Sequence, residues 1–202
     1  MRLIGMLDSP YVRRAAITMR LLGLSFQHEP VSVFRTFEQF RAINPVVKAP
    51  SLVCDNGVVL MDSTLIIDYV EAMAGRSLMP TELAARQRDL RVIGLALAAC
   101  EKAVQNVYEH MLRPAEKQHQ PWVERVDGQR TSAFALLEEE VARLPVPVQE
   151  TALTQAQLTT AVVWTFTQAM LPGAVDPAAH PAIASLTAAA EGFAAFQAYP
   201  HA

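Results

Sequence analysis

Residues 44–69 read NPVVKAPSLVCDNGVVLMDSTLIIDY, and the first-half fold is decided inside this stretch. SLVC (51–54) and VVLM (58–61) are short apolar runs joined by Asp55-Asn56-Gly57. Asn-Gly favours the tight turns that connect antiparallel strands, so the two runs predict a β-hairpin. STLIIDYVEAM (63–73) follows at once, with Leu65, Ile66, Tyr69, Val70 and Met73 at helical spacing. A hairpin feeding directly into an amphipathic helix is one layer of an α/β arrangement.

Working outward toward the N-terminus, RLIGML (2–7) predicts a first strand. PYVRRAAITMRLLG (10–23) then carries Val12, Ala15, Ala16, Met19 and Leu22 on one helical face, with Gly23 placed to end the helix. SFQHEPV (25–31) reads as a second strand and TFEQFRAIN (36–44) as a short helix or turn. The order is β-α-β-α-β-β-α. At the first strand-to-helix junction stands Ser9-Pro10. Serine is a favoured N-cap and proline suits the first helical position, where its missing N–H is no loss. A hydroxyl at a helix N-terminus is also suited to an anionic ligand, and the two uses are compatible.

Toward the C-terminus the pattern changes. GRSLMPTE (75–82) reads as a linker, and nothing after Leu83 argues for strands. Helices are expected in 84–112 (stopped by Pro114), 121–144 and 153–171, with one or two more in 180–200. The third of these is the most apolar and is expected at the centre of an all-α domain. Its start, LTQAQL (153–158), holds Thr154 and Gln157 as a capping box, with Leu153 and Leu158 as a hydrophobic staple. The expected domains are therefore 1–75, a linker over 76–84, and a helical domain over 85–202.

The 202 residues are 51% hydrophobic and 18% charged, enough for a sizeable core. A net charge of −3 gives no electrostatic case for nucleic acid. Cys54 and Cys100 lie far apart without a C-x-x-C partner, which fits a reducing cytoplasm better than a disulfide framework or a zinc site. The N-terminus lacks the long apolar segment of a signal peptide, and no stretch reaches the roughly 18 apolar residues of a membrane span. The expectation is a soluble cytoplasmic protein with no membrane partner.

The β-α-β-α-β-β-α unit, the NPVVKAP segment ahead of its hairpin and the all-α remainder together resemble the cytosolic glutathione transferases, in particular bacterial serine-type members. The resemblance implies an α/β thioredoxin-like N-terminal domain followed by a helical C-terminal domain. It implies that the Ser9 hydroxyl hydrogen-bonds the sulfur of glutathione. Ala49-Pro50 matches the family's cis-proline turn, whose backbone binds the cysteinyl unit, and Lys48 adds charge near the tripeptide's carboxylates. Asp62-Ser63 stands where the family usually has Glu-Ser. Ser63 would cap the third helix and bind the γ-glutamyl carboxylate, and Asp62 would help bind the amine. The family's cap on its buried sixth helix usually ends in Asp, where this chain has Gln157. A second substrate, a small hydrophobic electrophile, is expected against Phe34, Tyr108, Met111 and Leu112. Glutathione is the implied co-substrate, no metal is required, detoxification is the associated role and a homodimer is the implied assembly.

The chemistry asked of Ser9 is modest. A thiol with a pKa of about 8.5 is only about 3% thiolate at neutral pH. Lowering that pKa by about 2 units takes about 2.7 kcal/mol of preferential thiolate binding. A hydrogen bond to a charged group supplies about 1.5–3 kcal/mol and a helix N-terminus about 0.3–2 kcal/mol. No general base is needed. Tyr11 is a rival donor within the first helical turn. Cys54, Cys100 and Trp164 read as core, Trp122 as an anchor for a helix start, and Arg13-Arg14 as either exposed or steering charges. His110 and His119 are too scattered to suggest a metal. The rival function is a transferase-like protein that binds without turnover.

Overall fold

The computed structural model describes residues 1–201 and divides them into two compact units. The first comprises residues 1–78 together with 149–151 and the segment from Gly192; the second comprises 79–148 and 152–191.

The first unit is built on strands β1 (Arg2–Ile4), β2 (Gln27–Glu29), β3 (Ser51–Val53) and β4 (Val59–Met61) in the spatial order β2-β1-β3-β4. β1 pairs parallel with β2 and antiparallel with β3, and β3 pairs antiparallel with β4. Helices α1 (Pro10–Leu21), α2 (Phe37–Ile43) and α3 (Ser63–Ala74) fall in the expected order. Alternation along β1 explains why both faces are covered. Leu3 joins Val12, Ala16, Leu52, Ile66 and Val70 in the core that α1 and α3 share, whereas Ile4 joins Val31 and Phe40 on the α2 side.

β1 is shorter than RLIGML predicts because Gly5 ends it. Gly5 has φ +139, and a Cβ there would lie 2.5 Å from Val12 Cγ2 and 3.2 Å from Ala49 Cβ. Only glycine allows the chain to pass so close to α1 and to residue 49. At its other end α1 closes as the sequence suggests. Gly23 (φ +75) donates its N–H to the Arg20 carbonyl, and the Leu24 N–H reaches the Met19 carbonyl, which is a Schellman motif.

Three sequence readings are corrected here. First, α3 is capped by Asp62, whose Oδ1 accepts the Thr64 N–H at 2.9 Å, and Ser63 is the first helical residue rather than the cap. The chain reaches α3 through φ +72 at Asp62, which sets the carboxylate, not the Ser63 hydroxyl, over the helix end. Second, the buried face of α3 is Ile66, Ile67 and Val70, while Leu65, Tyr69 and Met73 are exposed. Third, Arg13 and Arg14 are buried, at 1% and 2% exposure. Arg13 donates from Nε to the Tyr199 carbonyl at 2.8 Å and lies over the Phe196 ring, 5.4 Å from its centroid.

That contact also explains why the chain's last stretch belongs to the first unit. Helix α8 (Ala194–Gln197) packs on α1, and Glu150 accepts the Ala195 N–H at 2.6 Å near its start. An all-helical domain running to residue 202, the expectation from the sequence, did not anticipate this return.

The second unit is α-helical, with α4 (Leu83–Leu112), α5 (Gln120–Val141), α6 (Gln155–Met170) and α7 (Pro181–Glu191). Twelve of the sixteen residues of α6 are buried, so it is the central helix. Both bonds of its capping box are present: Gln157 N–H to Thr154 Oγ1 at 3.3 Å, and Thr154 N–H to Gln157 Oε1 at 3.1 Å. Leu153 and Leu158 are both buried, as a staple requires. Trp164 is core, edge-on to Phe134 at 5.6 Å between ring centroids. Asp89 of α4 accepts a hydrogen bond from the Thr154 hydroxyl, and burial raises its carboxyl pKa.

Candidate functional site

Ser9 occupies the N-cap position of α1 with φ −74 and ψ 120, and its carbonyl accepts the Arg13 N–H at 3.0 Å. Its hydroxyl caps no helical N–H. The double role expected from the sequence is therefore corrected: Ser9 holds the cap position by backbone alone. Pro10 at the first helical position brings no N–H of its own, and the half-buried hydroxyl is left for another partner.

The cis bond expected at Ala49-Pro50 is present. A small polar network fixes the turn ahead of it. Buried Asn44 donates from Nδ2 to Ser51 Oγ at 2.8 Å and accepts the Val46 N–H at 3.0 Å. Ser51 Oγ in turn donates to the Lys48 carbonyl at 2.8 Å. Val47 has φ +52, an outlier for a β-branched residue. None of these bonds uses the Ala49 N–H or carbonyl. Backbone held in such a region concentrates where a ligand is clamped.

The start of α3 adjoins this turn: Lys48 Nζ lies 4.0 Å from Asp62 Oδ2, both side chains about half exposed. Arg14 ties α1 to the same place, donating to Ser63 Oγ and Thr64 Oγ1 at 3.1 Å each. The loop that carries Ser9 is tied in from two sides. Gly5 abuts Ala49, and the Gly5 carbonyl lies 2.8 Å from His28 Nε2. Within the first unit, then, Ser9, Lys48, Ala49, Pro50, Asp62 and Ser63 sit on three linked segments. Asn44, Ser51, Arg14, Thr64 and His28 hold those segments and were not picked out as site residues from sequence. Asn44-Pro45 and a serine beginning a strand were the available signals for the first two.

The residues expected to face a second substrate are divided between the units. Phe34 belongs to the first, in a turn where its N–H reaches Ser32 Oγ at 3.1 Å, and its ring is exposed. Tyr108, Met111 and Leu112 belong to the second and form an exposed ridge at the end of α4. A hollow of about 140 Å³ elsewhere in the second unit, lined by Val141, Leu144, Pro145, Ala182 and Leu186, contains none of the candidate residues. Cys54 and Cys100 are free and buried. The Tyr69 hydroxyl is hydrogen-bonded to the Cys54 thiol, which raises the phenol's pKa.

The fold is that of a known class of proteins. Residues 3–77 match the family described as glutathione S-transferase, N-terminal domain. The whole chain carries the fold of that class. A glutathione transferase family member from Pseudomonas fluorescens Pf-5, solved with bound glutathione, is 27% identical and superposes with a TM-score of 0.84, covering 98% of this chain and 97% of that one. The same protein has been solved with bound S-(propanoic acid)-glutathione. A glutathione S-transferase from Methylobacillus flagellatus KT with glutathione bound is 20% identical, with a TM-score of 0.87 over 100% of this chain and 99% of that one, a likeness of fold. Among curated proteins, the uncharacterized GST-like protein YibF of Escherichia coli K12 is 28% identical over 119 residues. That match takes in 58% of either chain, so this chain spans little more than half the length of the curated relative it matches.

Proposed function

We propose that this protein is a glutathione transferase that binds glutathione in its first unit, stabilises the thiolate with Ser9 and transfers it to a small hydrophobic electrophile. The observation that carries the reading is the uncommitted Ser9 hydroxyl at the N-terminus of a twelve-residue helix, linked to the cis Ala49-Pro50 turn and the Asp62-Ser63 helix start. Glutathione bound in a relative of the same fold supports the ligand, and an S-alkylated glutathione in that relative supports conjugation. In this reading the Ala49 backbone pairs with the cysteinyl unit, laying the tripeptide alongside the turn. Lys48 faces a carboxylate and Asp62 the γ-glutamyl amine. Phe34, exposed on the first unit, supplies apolar surface for the electrophile.

The hydroxyl lowers the thiol pKa by donating to S⁻, and the helix end adds to it. The test is a pH titration of thiolate absorbance with glutathione bound to wild type and to Ser9→Ala. Wild type should show a thiol pKa about 1–2 units below that of the variant, with glutathione retained by both. Equal pKa values in the two proteins sink the Ser9 mechanism. Bound glutathione with an unshifted thiol in wild type points instead to a binding protein without turnover.

The outward-facing apolar residues of α3 support the homodimer that the resemblance implies. No helix among the described residues is long and apolar enough to cross a membrane. With two free buried cysteines the chain suits a cytoplasmic setting.

A further inference from the structure

Backbone holds Ser9 from both sides: its N–H donates to the Met6 carbonyl at 3.2 Å, and its carbonyl accepts the Arg13 N–H at 3.0 Å. The second bond makes Arg13, the fourth residue of α1, the helix's grip on the hydroxyl. The Arg13 side chain runs the other way, into a site made by the end of the chain. It is 1% exposed. Its Nε–H donates to the Tyr199 carbonyl at 2.8 Å, and its guanidinium lies over the Phe196 ring, 5.4 Å from the centroid. The receiving segment is itself fastened. Phe196 is fully buried, the Tyr199 ring stacks on Phe26 with 5.7 Å between centroids, and Glu150 accepts the Ala195 N–H at 2.6 Å. Val12, Ala15, Ala16 and Met19 already pack α1 into the core of this unit. Such apolar packing is non-directional, so it holds the helix down without fixing how its first turn is rotated. A hydrogen bond combined with a cation over a ring does fix it.

We propose that Arg13 is a positioning residue for Ser9, and that residues 192–199, by anchoring Arg13, set the first turn of α1 so that the hydroxyl meets the glutathione sulfur. This rests on the glutathione reading above and extends it to the far end of the chain. A hydrogen bond to sulfur weakens steeply once its donor is misaligned, so loosening the anchor costs thiolate before it costs the bound tripeptide. The guanidinium is also a positive charge near the first turn, and a charge would favour a thiolate without any anchor. The two effects separate by experiment, because the anchor can be changed with Arg13 left in place.

The experiment uses Arg13→Gln, which removes the charge, and Phe196→Leu and Tyr199→Ala, which keep it and loosen its anchor. Thiolate absorbance of bound glutathione gives the thiol pKa, and calorimetry gives the affinity for S-methylglutathione, which has no thiol to ionise. Each variant should raise the bound thiol pKa by about 0.5–1 unit, an about three- to tenfold loss in the ratio of thiolate to thiol. Affinity for S-methylglutathione should stay within about twofold of wild type, since that ligand makes no use of a thiolate donor. Adding Arg13→Gln to Ser9→Ala should move the pKa no further, because the arginine acts through that hydroxyl. Tyr199 is only partly buried, so Tyr199→Ala carries the test even if Phe196→Leu does not fold. A pKa that moves in Arg13→Gln alone assigns the effect to charge and overturns the proposal. Unmoved pKa values with S-methylglutathione weakened make Arg13 a structural strut and overturn it equally. A wild type that binds no glutathione, or binds it with an unshifted thiol, fails before any variant is compared, and there it is the underlying reading that falls.

Discussion

Asp89 is buried at 5% exposure, with its Oδ2 unpartnered and the Thr154 hydroxyl donating to the carboxylate. Desolvation raises its pKa above the ordinary carboxylate value. A raised carboxyl favours folding while protonated. Its contribution is full below the unfolded pKa and is lost as pH rises through the folded one. Asp89→Asn, which keeps an acceptor for Thr154 without the charge, should therefore unfold at a higher temperature than wild type near pH 7.5. The gap should close as pH falls toward 4. Thermal unfolding across that range decides it, and a variant that is less stable by the same amount at every pH sinks the assignment. Residues like this one mark the limit of sequence reading. Thr154 and Gln157 were legible because their partners lie within a few positions, Pro10 because a missing N–H suits the first helical position, and the Ala49-Pro50 turn only through the resemblance. Arg13, Arg14 and Asp89 were not, because the groups that receive them, Tyr199, Ser63 and Thr154, lie 186, 49 and about 65 residues along the chain.

At the scale of the element, the α6 cap shows what a departure from the family pattern accomplishes. Gln157 accepts the Thr154 N–H through Oε1 and donates from Nε2 to the Pro145 carbonyl at 2.8 Å. A carboxylate could do the first but not the second. Glutamate at this third helical position is ordinarily favourable beside the helix N-terminus. Here Gln157→Glu should cost about 1 kcal/mol, since it removes the bond to Pro145 and sets a second carboxylate on the network that Asp89 already joins. Thr154→Ala should cost about 0.5–2 kcal/mol. Urea unfolding of the two variants measures both, and a stabilised Gln157→Glu would show that the Pro145 bond contributes nothing. The elements themselves were legible as types because hydrophobic period and turn residues are local. Their lengths and inward faces were not. β1 stops early at Gly5 because Val12 leaves no room for a Cβ, and the face that α3 turns inward includes Ile67 rather than Leu65.

At the scale of the whole molecule, that outward face of α3 argues for a second copy of the chain. Leu65, Tyr69 and Met73 recur every fourth residue, so they form one stripe along the helix, at 64%, 39% and 44% exposure. Single exposed apolar residues are ordinary, whereas a contiguous stripe costs solvation along its length and marks a surface meant to be covered. A stable interface buries about 800 Å² on each partner, more than one stripe supplies, so the stripe would be its apolar centre. Tyr69 is a poor choice for testing this because its hydroxyl is bonded to Cys54. Leu65→Lys and Met73→Lys change the stripe and leave the buried residues Ile66, Ile67 and Val70 in place. Sedimentation of wild type at micromolar concentration should give a dimer, and each lysine should weaken it by at least about tenfold, the effect of losing a central contact. A monomeric wild type refutes the homodimer. A dimer indifferent to both lysines keeps the assembly and moves its interface off α3. Glutathione affinity measured in the same variants separates the two roles, since Leu65 and Met73 lie outside the segments proposed to hold the tripeptide, and an affinity that fell only with dissociation would make pairing a condition for binding.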